Sequence, residues 1–361
     1  MTRSRHQILT LCLFLCSSLS HAADGYRIDT VATGLNYPWG MTFLPDGSAL
    51  VTELAGTLRA LDTNGKLSEP IANVPEVFFA GQGGLFDVVL APDYTTSRTI
   101  YLSYAAGDAK HNATTVARAQ LGESSLSDVE VVFEANPKKY APLHYGGRLA
   151  WLPDGDLLLT TGDGFDFREQ AQLVTNHFGK TIRIPVSGRS PSPFNEAPLV
   201  WSYGHRNPQG LAVSRNGTVY QHEHGPRGGD EVNVIEPGNN YGWPAITYGM
   251  DYNGAYVSPF TEHPDMLQPI HKWVPSIAPS GLMVYEGQQF PDWNGDLFVG
   301  ALVDRGVRRL DLENGRVLSE EAVFPEISAR IRDIREAPDG AIWVITDGPD
   351  GELIRVSAAT Q

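Results

Sequence analysis

Five segments of the chain concentrate side chains that can move protons, grip anions or ligate a cation. His144-Tyr-Gly-Gly-Arg148 carries a histidine, the side chain best suited to accept a proton near neutral pH, beside glycines that leave a substrate room. Asp163, in Thr160-Thr-Gly-Asp-Gly164, lies across the following predicted strand, where it can orient the His144 imidazole and stabilise its charged form. A lone histidine is more often structural, so the pairing is an expectation to be met by geometry. Gly204-His-Arg-Asn-Pro-Gln-Gly210 fixes Arg206 beside Asn207 and a proline, and a rigid guanidinium fork reads carboxylate oxygens well. The bland alternative for Arg206 is a surface ion pair.

Two further segments suit an anion. Gly81-Gln-Gly-Gly84 lets backbone approach a ligand closely while Gln82 offers an amide donor and acceptor, although glycine-rich loops are commonly mere turns. In Arg330-Ile-Arg-Asp333, alternation puts Arg330 and Arg332 on one face of a strand, and two cations on one face of an acidic protein suggest a bound polyanion. The densest segment is Gln221-His-Glu-His-Gly-Pro-Arg-Gly-Gly-Asp-Glu-Val-Asn233, followed by Gly238-Asn-Asn-Tyr-Gly-Trp243. His222, Glu223 and His224 invite a zinc reading, but neighbours on a strand point to opposite faces and no well-spaced third ligand joins them. Calcium suits the segment better, since Asp230, Glu231 and a sharply turning glycine-rich backbone supply carboxylate and carbonyl oxygens.

The elements that must position these residues are strands. Six places read as a tight turn followed by a short β-rich strand ending in polar residues. They are Leu44-Pro-Asp-Gly47 before Ala49 to Glu53, Ala91-Pro-Asp93 before Thr99 to Ser103, and Leu152-Pro-Asp-Gly155 before Leu157 to Thr161. Ser214-Arg-Asn-Gly217 before Thr218 to Tyr220, the looser Pro291-Asp-Trp-Asn-Gly295 before Asp296 to Gly300, and Ala337-Pro-Asp-Gly340 before Ala341 to Thr346 complete the set. Proline presets φ, aspartate bonds its own backbone and glycine accepts positive φ before the strand begins. Recurrence every ~45 to 75 residues matches a four-stranded blade with its loops, so the expected fold is all-β, a six-bladed β-propeller with four-stranded blades. A β-sandwich with coincidental turns is the alternative. No linker splits the chain.

Composition bounds the rest. Arg3, Arg5 and His6, an apolar run from Ile8 to Leu15 and the exit Ser20-His21-Ala22-Ala23 read as a secretory signal peptide over residues 1–23, leaving the propeller at 24–361 in the periplasm or outside the cell. The apolar run is too short to span a bilayer. Both cysteines, Cys12 and Cys16, fall inside that signal, and Leu11 and Leu15 before them argue against lipidation. The formal net charge is −15, and losing Arg3 and Arg5 takes it to about −17, which repels phosphate backbones and anionic lipid. Nucleic acid and membrane insertion are therefore not expected.

Taken in order, the segments resemble the soluble quinoprotein glucose dehydrogenase family, and especially its aldose sugar dehydrogenase branch. The likeness runs from Gly34-Leu-Asn-Tyr-Pro-Trp-Gly40 to Thr346-Asp347 and includes Gln82-Gly-Gly-Leu85, His144 to Leu149, Tyr203 to Gly210, His224 to Glu231, Pro275-Ser-Ile-Ala-Pro-Ser-Gly281 and Arg330 to Asp333. The resemblance implies pyrroloquinoline quinone (PQQ) and calcium on one face of a propeller, an aldose substrate, and a quinone or similar electron acceptor. It implies His144 as the base for the anomeric hydroxyl, supported by Asp163, and cofactor contacts from Gln82, Arg206, Asn207, Arg330 and Arg332. The Gly225 and Pro226 carbonyls match a calcium at the quinone, and Glu231 and Tyr241 match a second, structural calcium. One departure stands out: Ala301-Leu-Val303 replaces the family's usual Ser-Leu-Lys, and Arg305 is the candidate substitute cation. No strand-turn-helix nucleotide fingerprint is visible.

Two other functions fit a propeller. A calcium-dependent lactonase would hold a central metal with carboxylate and Asn side chains, whereas His and Arg occupy the corresponding segments here. A non-catalytic binding propeller would give no reason for His144, Asp163 and Arg206 to occur together.

Overall fold

The computed structural model describes residues 21–23, 25–186 and 192–359. The expected signal peptide lies outside the described residues except for His21–Ala23, a short strand paired with residues 26–28. Six antiparallel sheets form the body of the protein. Blade 1 comprises Pro38–Phe43, Ala49–Glu53 and Thr57–Leu61. Its fourth position is filled by irregular chain at 67–71, which bonds through the Ser68 amide to the Ala60 carbonyl and the Ile71 amide to the Leu58 carbonyl. Blade 2 is Leu85–Leu90, Thr99–Gly107, Asn112–Leu121 and Leu126–Glu134; blade 3 is Leu149–Trp151, Leu157–Thr161, Lys180–Ile184 and Val200–Tyr203. Blade 4 is Pro208–Val213, Val219–Glu223, Asp230–Val234 and His271–Trp273, and blade 5 is Pro279–Val284, Leu297–Ala301, Gly306–Glu313 and Arg316–Val323. Blade 6 takes Ile331–Glu336, Ile342–Thr346 and Gly351–Ala358 from the end of the sequence and Tyr26–Leu35 from its start, so that one blade staples the ring shut.

Each predicted turn joins the first and second strands of a blade. In four of them the geometry repeats: Gly47, Gly155, Gly217 and Gly340 have φ between +81 and +89°, and an Asp or Asn side chain accepts the amide two residues on. The second strands of blades 1, 3, 4 and 5 are buried at every position, which explains why they open on consecutive apolar residues rather than alternating ones. Outer strands face water, as the largely exposed Arg316–Val323 does.

The first strands line the axis, each touching the first strand of the next blade around the closed ring. Four charges plug the centre. Arg148 Nη1 lies 3.1 Å from Asp333 and 3.8 Å from Asp87, while Arg335 lies 2.9 Å from Asp333 and 3.0 Å from Asp87. Arg148 also donates to the Gln209 and Arg332 carbonyls at 2.7 and 3.0 Å and stacks 4.1 Å from the Trp39 ring centre. Two acids against two bases, multiply hydrogen-bonded, make a neutral cross-blade tie where lone charges would be expensive.

Candidate active site

Every second strand runs away from its turn and delivers its last residues to the opposite face. Thr161 ends one such strand, and the chain then passes Gly162 to Asp163. A side chain at Gly162 would collide with the His144 carbonyl, so glycine is what lets the two segments touch. His144 itself has φ +51°, a left-handed conformation that a β-carbon disfavours and that its neighbours must hold. Gln82 Oε1 accepts the His144 amide at 2.8 Å, and the Asn207 side chain accepts the Gly146 amide at 3.3 Å.

The expected pair forms. His144 Nδ1 lies 2.7 Å from Asp163 Oδ1, and both side chains are buried. Asp163 also accepts the Phe165 amide at 2.8 Å and the Trp243 indole N–H at 2.7 Å, so three donors converge on one carboxylate. Burial pushes the Asp163 pKa up, but the His144 and Arg206 charges and these hydrogen bonds outweigh it and hold the carboxyl below its ordinary range. The His144 pKa is lowered, chiefly by burial, with Asp163 opposing. A neutral ring donating from Nδ1 to a carboxylate leaves Nε2 as an acceptor, and no described residue bonds it.

Two cavities open at this end of the ring, one beside Asn207 and His224 and the other beside His144 and Arg206. The first, about 390 Å³, is bounded by Gln82, Asn207, Arg330 and Arg332, with Trp39 and Tyr145 among its aromatic walls. The second, about 330 Å³, holds His144, Asp163, Arg206 and Trp243 together with Phe165 and Tyr252. Both fall within the range of small-molecule sites.

The arginines differ in role. Arg330 and Arg332 share a face as expected, but both grip Asp347, at 2.9 and 3.1 Å. Burial would raise the Asp347 pKa, yet Arg332 and Arg330 together hold it down, so the carboxylate already neutralises one of the two cations. Arg206 is buried; its Nη1 donates to the His224 and Gly225 carbonyls at 3.1 and 2.6 Å, its amide to Glu223, and its Nε has no partner among the described residues. Arg305 does not reach the first cavity: it bonds the Ser328 carbonyl at 3.1 Å, while the 62% exposed Val303 lines the wall instead. The reason is local, since φ of +57° at Arg305 turns its side chain away after Val303.

The metal candidates divide as well. His222 and His224 bond carbonyls of the neighbouring blade, at Gly281 and Pro279, while Glu223 points the other way to His205. Among the described residues no three His, Cys, Asp or Glu side chains gather as a metal site. Asp230 is committed to structure, accepting from the Gly225, Ile277 and Ala278 amides and Ser276 Oγ. Gly225 offers a carbonyl that Arg206 now occupies, and the Pro226 carbonyl beside it accepts nothing from the described residues. Calcium on both oxygens would share the Gly225 carbonyl with Arg206 or displace it. Glu231 faces Glu223 and Tyr241 across a narrow gap, and burial, then Glu223, push its pKa up to about 8. That is the signature of a carboxylate short of a cation. The Tyr241 hydroxyl is engaged with the Val234 carbonyl at 2.7 Å, which leaves its main-chain oxygen as the available ligand.

The chain matches the glucose/sorbosone dehydrogenase family model over residues 35–355. It belongs to that family. It is 38% identical to the aldose sugar dehydrogenase YliI of Escherichia coli, the alignment covering 95% of this chain and 96% of that protein. The crystal structure of the soluble E. coli aldose sugar dehydrogenase in its apo form superimposes with a TM-score of 0.87 at 37% identity, over 92% of this chain and all of that one. The PQQ-bound aldose sugar dehydrogenase of Streptomyces coelicolor does so with 0.77 at 29% identity, over 92% and 98%. Both cavities lie at the end of the ring opposite the turns that reveal the blades.

Several contributors carry little sequence signal. Trp243 sits at the end of a segment marked for its asparagines and glycines, and Asp347 occupies in blade 6 the place that Asp163 takes in blade 3, just past a second strand ending in Thr. That positional echo could have flagged it. Tyr252 and Phe165, exposed beside the base, have none.

Proposed function

We propose that the chain is an exported PQQ- and calcium-dependent aldose dehydrogenase that oxidises the anomeric carbon of aldoses to lactones and passes electrons to a quinone or similar acceptor. The carrying observation is His144 Nδ1 held by an ionised Asp163, with Nε2 left without a partner among the described residues in the wall of the second cavity. Asp163 fixes the tautomer, Gln82 and Asn207 hold the backbone on either side, and Nε2 takes the proton from the sugar's C1 hydroxyl as the C1–O bond becomes a carbonyl. The Asp163 charge stabilises the imidazolium that results. Bound PQQ supplies the acceptor for the hydride leaving C1. Arg330, Arg332, Gln82 and Asn207 would hold its carboxylates and ring oxygens, and the buried Arg206 Nε would find its missing acceptor there. Calcium would sit at the Gly225 and Pro226 carbonyls, and a second ion at Glu231 and the Tyr241 carbonyl. No helix of the described residues is long and apolar enough to cross a membrane.

The test is to load the purified mature protein with PQQ and calcium, add aldoses and follow a redox dye. Dye reduction that needs both additions is expected. Lactone hydrolysis without PQQ would instead select the lactonase reading. Fractionation with mass spectrometry of the mature amino terminus checks export.

A further inference from the structure

Beneath the His144–Asp163 pair lies a buried cation that the steps above do not use. Lys139 is 4% exposed, and its backbone pairs with Asn112 in both directions at 2.8 and 2.9 Å. Its ammonium donates to the Ala141 carbonyl at 2.5 Å and the Leu143 carbonyl at 2.7 Å, and sits 3.4 Å from the centre of the Tyr145 ring. The Tyr145 hydroxyl returns to Asn112 at 2.7 Å. On the other side the stem passes Gly164, where a β-carbon would come within 2.9 Å of Lys139 Cδ. One lysine thus binds the residue before the base and the aromatic ring after it through its ammonium, and packs its stem against the glycine that follows Asp163.

This wrap answers a problem the loop creates. His144 is in a left-handed conformation, and the Ala141 and Leu143 carbonyls turn inward with no other donor among the described residues. Two buried carbonyls facing one another without a donor would drive the loop open, because unmatched buried acceptors are expensive. The charged groups around Lys139 are few: Asp163 and Asp166 draw its pKa up, while burial, the larger effect, brings it down to about 7. Tyr140 turns its hydroxyl to Asp166. Arg206 and Lys139 are the cations that oppose protonation of His144.

We propose that Lys139 is a positioning residue for the base: its ammonium closes the 141–145 loop so that the His144 ring stays on Asp163 with Nε2 towards the cavity. The proposal rests on reading His144 as the base. Lys180 provides a built-in control. It is equally buried and brought down to about 7 for the same reason, but its ammonium grips the Gln170, Ala171 and Phe178 carbonyls instead of the base's loop.

The experiment compares Lys139→Met, Lys139→Arg and Lys180→Met by two readouts. One is the NMR titration of the His144 ring in the protein without cofactor; the other is the pH dependence of kcat and KM in the loaded enzyme. Lys139→Met should bind PQQ normally, lose about ten- to a hundredfold in kcat with KM little changed, and titrate His144 at higher pH than wild type. Lys139→Arg, which keeps the charge, should recover part of both. Lys180→Met should lower Tm and leave the His144 titration in place. If Lys139→Met fails to fold, Lys139→Gln reads the same shift. An unmoved titration in the Lys139 variants, or an equal shift in Lys180→Met, overturns the proposal. Because the titration needs no turnover, a protein that oxidises no sugar would refute the proposed activity while leaving this result readable.

Discussion

Replacing Asp163 by asparagine tests the centre of the mechanism with the smallest change of shape. The carboxylate accepts three hydrogen bonds, from His144 and Phe165 on Oδ1 and from Trp243 on Oδ2. An amide has one acceptor oxygen, so neither orientation satisfies all three donors. With oxygen towards His144, the Nδ1 bond survives but loses its charge. A hydrogen bond to a charged group contributes about 1.5 to 3 kcal/mol, which predicts a fall in kcat of roughly ten- to a hundredfold or more. With oxygen towards Trp243, the amide NH₂ forces the proton from Nδ1 to Nε2, the wrong tautomer for a base, and the analogous change in serine proteases lowers kcat by about 10⁴. The expected loss is therefore about 10 to 10⁴ in kcat, equivalent to roughly 1.4 to 5.5 kcal/mol. PQQ binding, followed by fluorescence quenching, should barely change, since Asp163 lines the other cavity. Dye reduction under saturating glucose, PQQ and calcium supplies kcat. A fall of less than about threefold would mean that Asp163 only supports packing, and the base would have to be sought elsewhere.

Further outcomes follow from the same geometry. Because burial lowers the His144 pKa below 6.5 and the neutral ring is the active form, kcat/KM should hold as pH falls past 6.5 and drop only below it; an acid limb at 6.5 or higher would contradict that environment. Arg332→Ala should weaken PQQ binding about ten- to a hundredfold in a titration, Val303→Lys should strengthen it, and Arg305→Ala should leave it unchanged. Glu231→Gln should raise Tm in calcium-free buffer, where it removes a carboxyl crowded by Glu223, and abolish the rise that calcium gives the native protein. Arg148→Met should lower the unfolding free energy by about 3 to 5 kcal/mol in urea titrations, since it strands Asp87 and Asp333 on the axis.

What the sequence reveals follows from how local the cause is. The Pro-Asp-Gly turns are self-contained: aspartate, glycine and the strand that follows are within a few residues of one another, and each marks the junction of first and second strands. The His144–Asp163 pair was within reach because a single β-hairpin, Leu149–Trp151 with Leu157–Thr161, separates the two residues. The central tie among Asp87, Arg148, Asp333 and Arg335 was not, for its members come from three blades and up to 248 residues apart. Asp347 escaped for a related reason. Arg330 and Arg332 announce themselves as two cations on one face, but their counterion arrives from the next strand of the sheet, so the pair reads as more positive than it is.

That counterion changes what the first cavity demands. PQQ brings three carboxylates, while Arg330 and Arg332 against Asp347 leave one net positive charge, and Val303 contributes none where the family usually has lysine. Arg206 adds a cation in the second cavity, but two of its hydrogen bonds are directed at the carbonyls of His224 and Gly225. Burying three carboxylates against so little positive charge is unfavourable. A divalent cation at the Gly225 and Pro226 carbonyls would repair the balance twice over, by adding two charges and by releasing Arg206 from Gly225 to face the cofactor. On the proposed function, calcium and Arg206 would take over the neutralising role of the missing lysine, and cofactor affinity is expected to depend on calcium more steeply than in relatives that keep a cation at the position of Val303.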